Sequence, residues 1–255
     1  MNELILPLLG AGAGAVLGSF VANLVMRWPQ GRSVVRGRSV CEQCGHILGV
    51  GELVPLMSFI VQRGRCRRCS TAIDPAHFLI ELAATLVGAT ALFVVPGWGG
   101  VAGMAFGLVL IALAALDMRH FWVPDLLTLP LLAVGLLVAL MGHGPALADS
   151  VIGAAAGYGV LALLAWAYRR LRGREGLGGG DPKMLGAIGA WLGWQLLPMV
   201  LLVASLIGLL YALATRARGV ALAADAQVPL GAMMAVAAWP LWILSAGGVI
   251  GLAYI

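Results

Sequence analysis

The sequence has few charged residues: aspartate, glutamate, lysine and arginine together make up 11% of its 255 positions. Soluble globular domains carry about 25% of such residues and about 45–50% apolar ones. Here 61% of the residues are hydrophobic and the mean hydropathy is +0.98. The scarcity of charge excludes an ordinary soluble domain and predicts an all-α membrane protein that crosses the bilayer several times.

Long apolar runs separate the charged residues, and a membrane-spanning helix needs about 20 predominantly apolar residues. The runs predict a bundle of about eight transmembrane helices, of which the third and sixth are short. Their approximate positions are 4–26, 77–95, 101–116, 126–142, 148–168, 183–196, 198–215 and 229–253.

The chain has fewer acidic residues than basic ones. It contains 11 aspartates and glutamates and 16 lysines and arginines, which gives a net charge of +5. If the eight runs cross the membrane, every basic residue falls in loops on one side of it. Basic loops remain in the cytoplasm, so we expect these loops to face the cytoplasm and to contact anionic lipids. This one-sided distribution explains the positive charge, and no nucleic-acid partner is predicted.

One loop is long enough to fold separately. It spans 28–76 and contains all four cysteines together with about half of the basic residues. The predicted domains are a first transmembrane helix at 1–27, a small cytoplasmic insert at 28–76 and a transmembrane helical bundle at 77–255. The bundle carries the candidate catalytic residues.

The cysteines form two CxxC pairs, Cys41 with Cys44 and Cys66 with Cys69. Each pair can present two thiolates to one tetrahedral zinc ion. The insert is too short to build a sufficient core alone, so a structural zinc ion would supply folding energy. Disulfides or unrelated free thiols are the alternatives, and the reducing cytoplasm disfavours disulfides. The pattern predicts a zinc-ribbon-like insert.

Two aspartates lie at the edges of apolar runs, where an ionisable side chain needs a functional reason. Asp117 follows one run, and Asp181 precedes another after the glycines Gly178, Gly179 and Gly180. Two carboxylates brought close together share one proton, so the pair can activate water and polarise a peptide carbonyl, as in aspartic proteases. Glycines there would let an extended substrate backbone approach closely. The pattern predicts an aspartic peptidase.

Other polar residues near these edges are candidates for supporting roles. Asp125 shares a turn with Asp117, although its position also suits a carboxylate that stabilises a helix N-terminus. Lys183 can bias the titration of the aspartates or bind a lipid headgroup. The sequence places Glu175 in a predicted loop. Glu81, in contrast, lies inside the second apolar run, so we expect it to face a polar partner.

Motifs through nearly the whole chain, in order, resemble those of the prepilin peptidase family, the bacterial type IV leader peptidases. The N-terminal part carries the resemblance in GSFVAN at 18–23, both CxxC pairs, VPLMS at 54–58, RGRCR at 63–67 and EL at 81–82. The C-terminal part carries it in Asp117, PDLLTLP at 124–130 and EGLGGGDPK at 175–183.

The resemblance implies an aspartic peptidase of the GxGD type in the bacterial inner membrane, with Asp117 and Asp181 at the catalytic positions. It implies cleavage of the basic leader of type IV prepilins, or of type II secretion pseudopilins, at the cytoplasmic membrane edge. It also implies methylation of the new N-terminus with S-adenosylmethionine, to which the cysteine-bearing loop contributes. The oligomeric state is not predicted.

Two other classes of function compete with this interpretation. A proton- or cation-coupled transporter could use the same aspartates as a relay, and it predicts acids near the bilayer midplane and inverted repeats. A membrane scaffold that binds a partner through its zinc ribbon predicts that both aspartates can be replaced harmlessly.

Overall fold

The computed structural model describes residues 4–174, 176–218 and 228–249. Nine α-helices lie in these ranges, and the described backbone contains isolated β-bridges but no β-strand. The helices are α1 (Ile5–Arg27), α2 (Met57–Val61), α3 (Pro75–Val94), α4 (Trp98–His120), α5 (Asp125–Leu140), α6 (Leu147–Arg172), α7 (Asp181–Leu192), α8 (Leu197–Ala217) and α9 (Leu230–Ala246).

Eight of the nine helices coincide with the eight predicted apolar runs, and the short α2 lies in the predicted insert. Five of them, α1, α3, α4, α6 and α8, are long and apolar enough to cross a membrane, and α5 and α9 are shorter apolar helices. The prediction of an all-α, multi-pass membrane protein is therefore confirmed. The orientation of the loops remains a prediction.

The sixth predicted run forms a helix too short to span a bilayer. Helix α7 has 12 residues, a length of about 18 Å against a hydrocarbon core of about 30 Å. Gly193 ends it with φ 76° and ψ 168°, a conformation that favours glycine. Every residue of α7 except Lys183 is buried, so this helix forms the core of its part of the molecule.

The chain divides into two compact units, Met1–Ala112 and Leu113–Ile255, and the boundary falls inside α4. The first unit contains α1, the cysteine-bearing insert, α2 and α3. The second contains the C-terminal end of α4 and helices α5 to α9, with α7 packed on α5, α6 and α9. The domain boundaries given above remain predictions.

Glycines set the distance between α1 and α3 in the first unit. A Cβ atom added to Gly10 would lie 2.2 Å from the Gly88 carbonyl oxygen, and one added to Gly88 would lie 2.1 Å from the Gly10 carbonyl oxygen. Gly14 faces the Ala84 carbonyl oxygen in the same way, at 2.2 Å. The backbones therefore touch, which is how small residues let membrane helices associate.

We expect Gly88→Ala to destabilise the first unit, because the new methyl group meets backbone that cannot rotate away. The expected loss is about 1–3 kcal/mol or more, measured as a lower midpoint of thermal unfolding in detergent. Gly12→Ala is the matched control on α1, since its Cβ would meet no described atom within 4 Å. Equal midpoints for the two variants would contradict the packing described here.

Candidate active site and candidate metal site

Asp117 lies in the last turn of α4, three residues before the helix ends. It is 5% exposed. Its Oδ2 accepts a hydrogen bond of 2.7 Å from the backbone N–H of Ala232 in the first turn of α9. A buried carboxylate at a helix end is thus held in one orientation by the N-terminus of another helix, where partial positive charge stabilises it.

Asp181 is the first residue of α7 and is 7% exposed. Its Oδ2 accepts a hydrogen bond of 3.2 Å from the backbone N–H of Gly178. Pro182 follows in the first turn, where the missing N–H of proline is tolerated because the first helical N–H groups have no partner within the helix. The glycine loop and the start of α7 together orient this second carboxylate.

Helix α9 brings the two aspartates into one site. The backbone of Gly231 lies next to both carboxylates, and the Asp117 carboxylate is near enough for its charge to act on Asp181. A Cβ atom at Gly231 would lie 3.0 Å from Asp117 Oδ2, 3.0 Å from Val123 Cγ2 and 3.2 Å from Met184 Sδ. A side chain at this position would therefore enter the space next to the Asp117 carboxylate.

The three predicted loop glycines have different surroundings. Gly178 donates the hydrogen bond to Asp181, and a Cβ atom at Gly180 would lie 2.6 Å from Val123 Cβ. Gly179, in contrast, has space for a side chain among the described residues. Close packing therefore requires glycine at position 180, and the backbone of residue 178 holds the aspartate.

Lys183 and Asp125 form an ion pair at the start of α5 and α7. Lys183 Nζ lies 2.7 Å from both carboxylate oxygens of Asp125. Asp125 is the first residue of α5. This position agrees with the predicted alternative in which its carboxylate stabilises a helix N-terminus. The two roles predicted for Lys183, an effect on the titration of the aspartates and the binding of a lipid headgroup, did not include an ion pair with Asp125. Glu175, also a predicted supporting residue, lies outside the described residues.

Glu81 lies in the first unit, on α3, and is 7% exposed. Its Oε2 accepts a hydrogen bond of 2.8 Å from the backbone N–H of Leu56. The expectation that this buried carboxylate faces a polar partner is therefore met. Its partner belongs to the segment just before α2.

The four cysteines form one cluster whose geometry fits zinc. Their Sγ atoms all lie within 4.8 Å of one another, and all four are free thiols. The Sγ atoms of Cys41 and Cys69 are 3.8 Å apart. Zinc–sulfur bonds of about 2.3 Å in a tetrahedron place neighbouring sulfurs about 3.8 Å apart. The cluster therefore has the ligand number and the spacing of a four-cysteine zinc site.

The two CxxC segments fold into the same turn. The N–H of Cys41 donates to the His46 carbonyl and the N–H of Gly45 donates to the Cys41 carbonyl. In the second turn the N–H of Cys66 donates to the Thr71 carbonyl and the N–H of Ser70 donates to the Cys66 carbonyl, with the same spacing along the chain. Gly45 and Ser70 occupy equivalent left-handed positions, with φ of 67° and 59°.

The surroundings of the thiols favour a bound cation. Hydrogen bonds with the side chain and backbone of Thr71 lower the pKa of the Cys69 thiol to about 6. The His46 backbone N–H lowers the pKa of the Cys44 thiol, but partial desolvation and the other three thiols together raise it to about 11. Four thiolates cannot form together without a positive charge, and a zinc ion supplies that charge.

Gly231 and Ala232, which place backbone N–H groups beside the two aspartates, were not predicted from the sequence. They stand at the start of the last apolar run, in the segment Pro229-Leu-Gly-Ala232. No charged or cysteine residue marks this segment, so the sequence alone offered no sign of a chemical role.

Two family models match the chain. The type IV leader peptidase family model matches residues 104–213, and the bacterial peptidase A24 N-terminal domain model matches residues 13–95. The first match includes both aspartates, and the second includes the four cysteines and Glu81. No solved structure matches the chain significantly.

Several curated proteins named prepilin leader peptidase/N-methyltransferase are similar to the chain. One from Aeromonas salmonicida (strain A449) is 44% identical over 207 residues, which cover 79% of this chain and 69% of that protein. One from Burkholderia pseudomallei (strain 1026b) is 50% identical over 186 residues, 71% of this chain and 59% of that protein. One from Klebsiella pneumoniae is 40% identical over 205 residues, 76% of this chain and 88% of that protein.

Proposed function

Since this chain belongs to the type IV leader peptidase family, we propose that it is the aspartic endopeptidase that removes the basic leader from type IV prepilins or pseudopilins. The observation that carries the proposal is the pair of buried carboxylates, Asp117 and Asp181, whose charges interact and which both lie beside the Gly231 N–H. The relatives' printed name supplies the substrate class.

The pair can hydrolyse a peptide bond without a covalent intermediate. Two adjacent buried carboxylates cannot both ionise easily, so one of them keeps a proton and the pair titrates as a unit. The ionised carboxylate takes a proton from water, which attacks the scissile carbonyl carbon. The protonated carboxylate donates a hydrogen bond to the carbonyl oxygen, where negative charge develops.

Backbone N–H groups prepare this pair for catalysis. Ala232 fixes Oδ2 of Asp117, and Gly178 fixes Oδ2 of Asp181. Because two separate backbone segments, the start of α9 and the glycine loop, supply these contacts, the carboxylates are oriented before a substrate arrives. Such preorganisation lowers the energy of reorganisation during the reaction.

The depth of the pair suits a substrate with a basic leader and an apolar helix. Asp117 is three residues from the end of α4, and Asp181 begins α7. A prepilin would lie in the membrane with its cleavage site at the edge of the hydrocarbon layer. By the distribution of basic residues, we assign this edge to the cytoplasmic side of the inner membrane. A transporter relay would place its acids near the midplane, so these helix-end positions favour the peptidase.

The family relationship and the cysteine geometry together imply two further groups. Cys41, Cys44, Cys66 and Cys69 would hold a structural zinc ion that stabilises the insert. The second part of the relatives' printed name supports methylation of the new N-terminal amine. S-adenosylmethionine supplies an electrophilic methyl group for this reaction.

Mass spectrometry of a prepilin incubated with the purified protein in detergent tests the proposal. We expect a free leader and a shortened pilin, and with S-adenosylmethionine present a shortened pilin that is heavier by one methyl group. An intact prepilin after incubation with folded, zinc-loaded protein would contradict the peptidase function. A shortened but unmethylated pilin would limit the function to cleavage.

We expect Gly231→Ala to slow leader cleavage by about tenfold to a hundredfold, because its methyl group displaces a carboxylate from its catalytic position. Initial rates of leader release measure the effect. Gly159→Ala, in α6, is the matched control: both changes favour a helix equally, but the new Cβ at position 159 has no neighbour within 4 Å among the described atoms. Equal rates for the two variants would show that Gly231 does not limit the site.

A further inference from the structure

The loop between α4 and α5, residues 121–124, begins in a strained conformation four residues after Asp117. The N–H of Phe121 donates to the Asp117 carbonyl at 2.9 Å, and Phe121 itself has φ 49°. A bulky side chain on left-handed backbone is a conformational outlier, and such strain persists only where the surrounding structure holds it. Contacts beyond the end of α4 must therefore keep this loop in place.

Val123 packs the loop against the two backbone segments that orient the carboxylates. A Cβ atom added to Gly180, in the glycine loop, would lie 2.6 Å from Val123 Cβ and 3.0 Å from the Val123 carbonyl oxygen. A Cβ atom added to Gly231, in the first turn of α9, would lie 3.0 Å from Val123 Cγ2. Close-packed interiors transmit small displacements. The position of Val123 therefore limits how the glycine loop and the start of α9 sit against each other.

The ion pair of Asp125 with Lys183 ties this packing to the second carboxylate. Asp125 follows Val123 by two positions at the start of α5, and Lys183 follows Asp181 by two positions at the start of α7. Lys183 Nζ lies 2.7 Å from both carboxylate oxygens of Asp125. The pair therefore connects the segment that follows Asp117 directly to the helical turn that carries Asp181.

This ion pair is too exposed to add much to stability. Its side chains are 35% exposed for Lys183 and 53% exposed for Asp125, and pairs of this kind contribute little, because solvent screens the charges and the side chains lose rotamer freedom. Catalysis is more sensitive to position, since misplacing a reacting group by about 1 Å can slow a reaction by about 100-fold. A contact that hardly affects folding can therefore have a large effect on rate.

We propose that the ion pair of Asp125 with Lys183 holds Asp117 and Asp181 at the separation that the peptidase reaction needs. The proposal rests on the proposed function, because it assigns the ion pair to leader cleavage. Asp125 and Lys183 are positioning residues in this role. They act through Val123, the glycine loop and the first turn of α7, and they do not touch the scissile bond.

A different role for Asp125 would be to bind a basic side chain of the leader. Two observations favour positioning. Both oxygens of the Asp125 carboxylate already contact Lys183 Nζ, and the segment that carries Asp125 is packed at Val123 against the glycine loop. The two roles predict different kinetic changes, because a positioning residue affects kcat and a leader-binding residue affects KM.

Steady-state cleavage of prepilin by the full-length protein in detergent tests the proposal. The double variant Asp125→Asn/Lys183→Met removes both charges and leaves neither unpaired. We expect its kcat to fall by about tenfold or more and its KM to stay within about twofold of the wild-type value. Each single variant should lose a similar factor, because the pair is broken in both. Lys183→Arg should recover most of kcat, since a guanidinium can contact both carboxylate oxygens.

Glu42→Gln is the matched control. It breaks an exposed ion pair with Arg32 in the first unit and should cleave prepilin at the wild-type rate. Thermal unfolding in detergent separates positioning from a purely structural role, and the double variant should unfold within about 4 °C of the wild type. If the double variant does not fold, the comparison of Lys183→Met with Lys183→Arg decides.

Several results would overturn the proposal while leaving the peptidase function standing. They are a wild-type kcat in the double variant, an equal loss of kcat in Lys183→Arg, and a loss of kcat that only accompanies a much lower unfolding midpoint. A raised KM with unchanged kcat in Asp125→Asn would also overturn it and would assign this carboxylate to the leader. Absence of cleavage by the folded wild type, in contrast, would contradict the peptidase function itself.

Discussion

Replacing Asp117 or Asp181 by asparagine is expected to slow release of the leader by about 10³-fold or more. Asparagine has the same shape and still accepts a hydrogen bond from Ala232 or Gly178. It can neither ionise nor hold the shared proton, so it cannot activate water or protonate the carbonyl oxygen. The loss is therefore chemical and leaves the fold intact. The rate of leader release under single-turnover conditions, with the enzyme in excess, measures it.

Asp149→Asn is the matched control for this prediction. Asp149 lies in the first turn of α6, and its Oδ1 accepts a hydrogen bond of 2.9 Å from Trp194 Nε1. An amide oxygen can accept this bond equally well, so the control should cleave prepilin at the wild-type rate. If the protein were instead a scaffold or a transporter, replacing Asp117 or Asp181 by asparagine would not change the rate of leader release.

The second large effect concerns the metal. Replacing Cys66 by serine is expected to abolish zinc binding and to unfold the insert, because structural zinc supplies about 10–16 kcal/mol of binding free energy. Cys66 is the most buried of the four cysteines, at 6% exposed. Elemental analysis should find one zinc per wild-type chain and none in the variant. The arginines of the insert make trypsin a second readout, since an unfolded insert is cut rapidly.

Ser70→Gly serves as the control for the zinc prediction. It keeps all four thiols and places glycine at the left-handed position that Gly45 occupies in the first turn, so strain falls and zinc should stay bound. Folded wild-type protein without metal would contradict the assignment of the four cysteines to zinc. Zinc retained by Cys66→Ser would show that three of the thiols suffice.

Much of the fold could be predicted because its signals are local. Each predicted apolar run contains enough consecutive residues to identify a helix, and two CxxC pairs identify a metal site by spacing alone. The limits of α7 were less predictable. Its first turn includes Asp181, which the predicted run left out, and Gly193 ends it earlier than the hydrophobic run suggested.

The site itself depends on contacts between residues far apart in the chain. The hydrogen bond from Ala232 to Asp117 joins residues 115 positions apart, and the ion pair of Lys183 with Asp125 joins residues 58 positions apart. Leu56 and Glu81 are separated by 25 positions. None of these partners follows a local rule, so hydrophobic periodicity and motif spacing could name the aspartates but not the groups that orient them.

The central claim is that Asp117 and Asp181 act as one unit on the scissile bond. Single-turnover cleavage of prepilin by Asp117→Asn, by Asp181→Asn and by the double variant tests it most directly. If the two carboxylates share one proton, removing either destroys the unit, and the double variant should be no slower than the single variants. Normal cleavage by either single variant, or a double variant slowed by the product of the two single effects, would contradict the account.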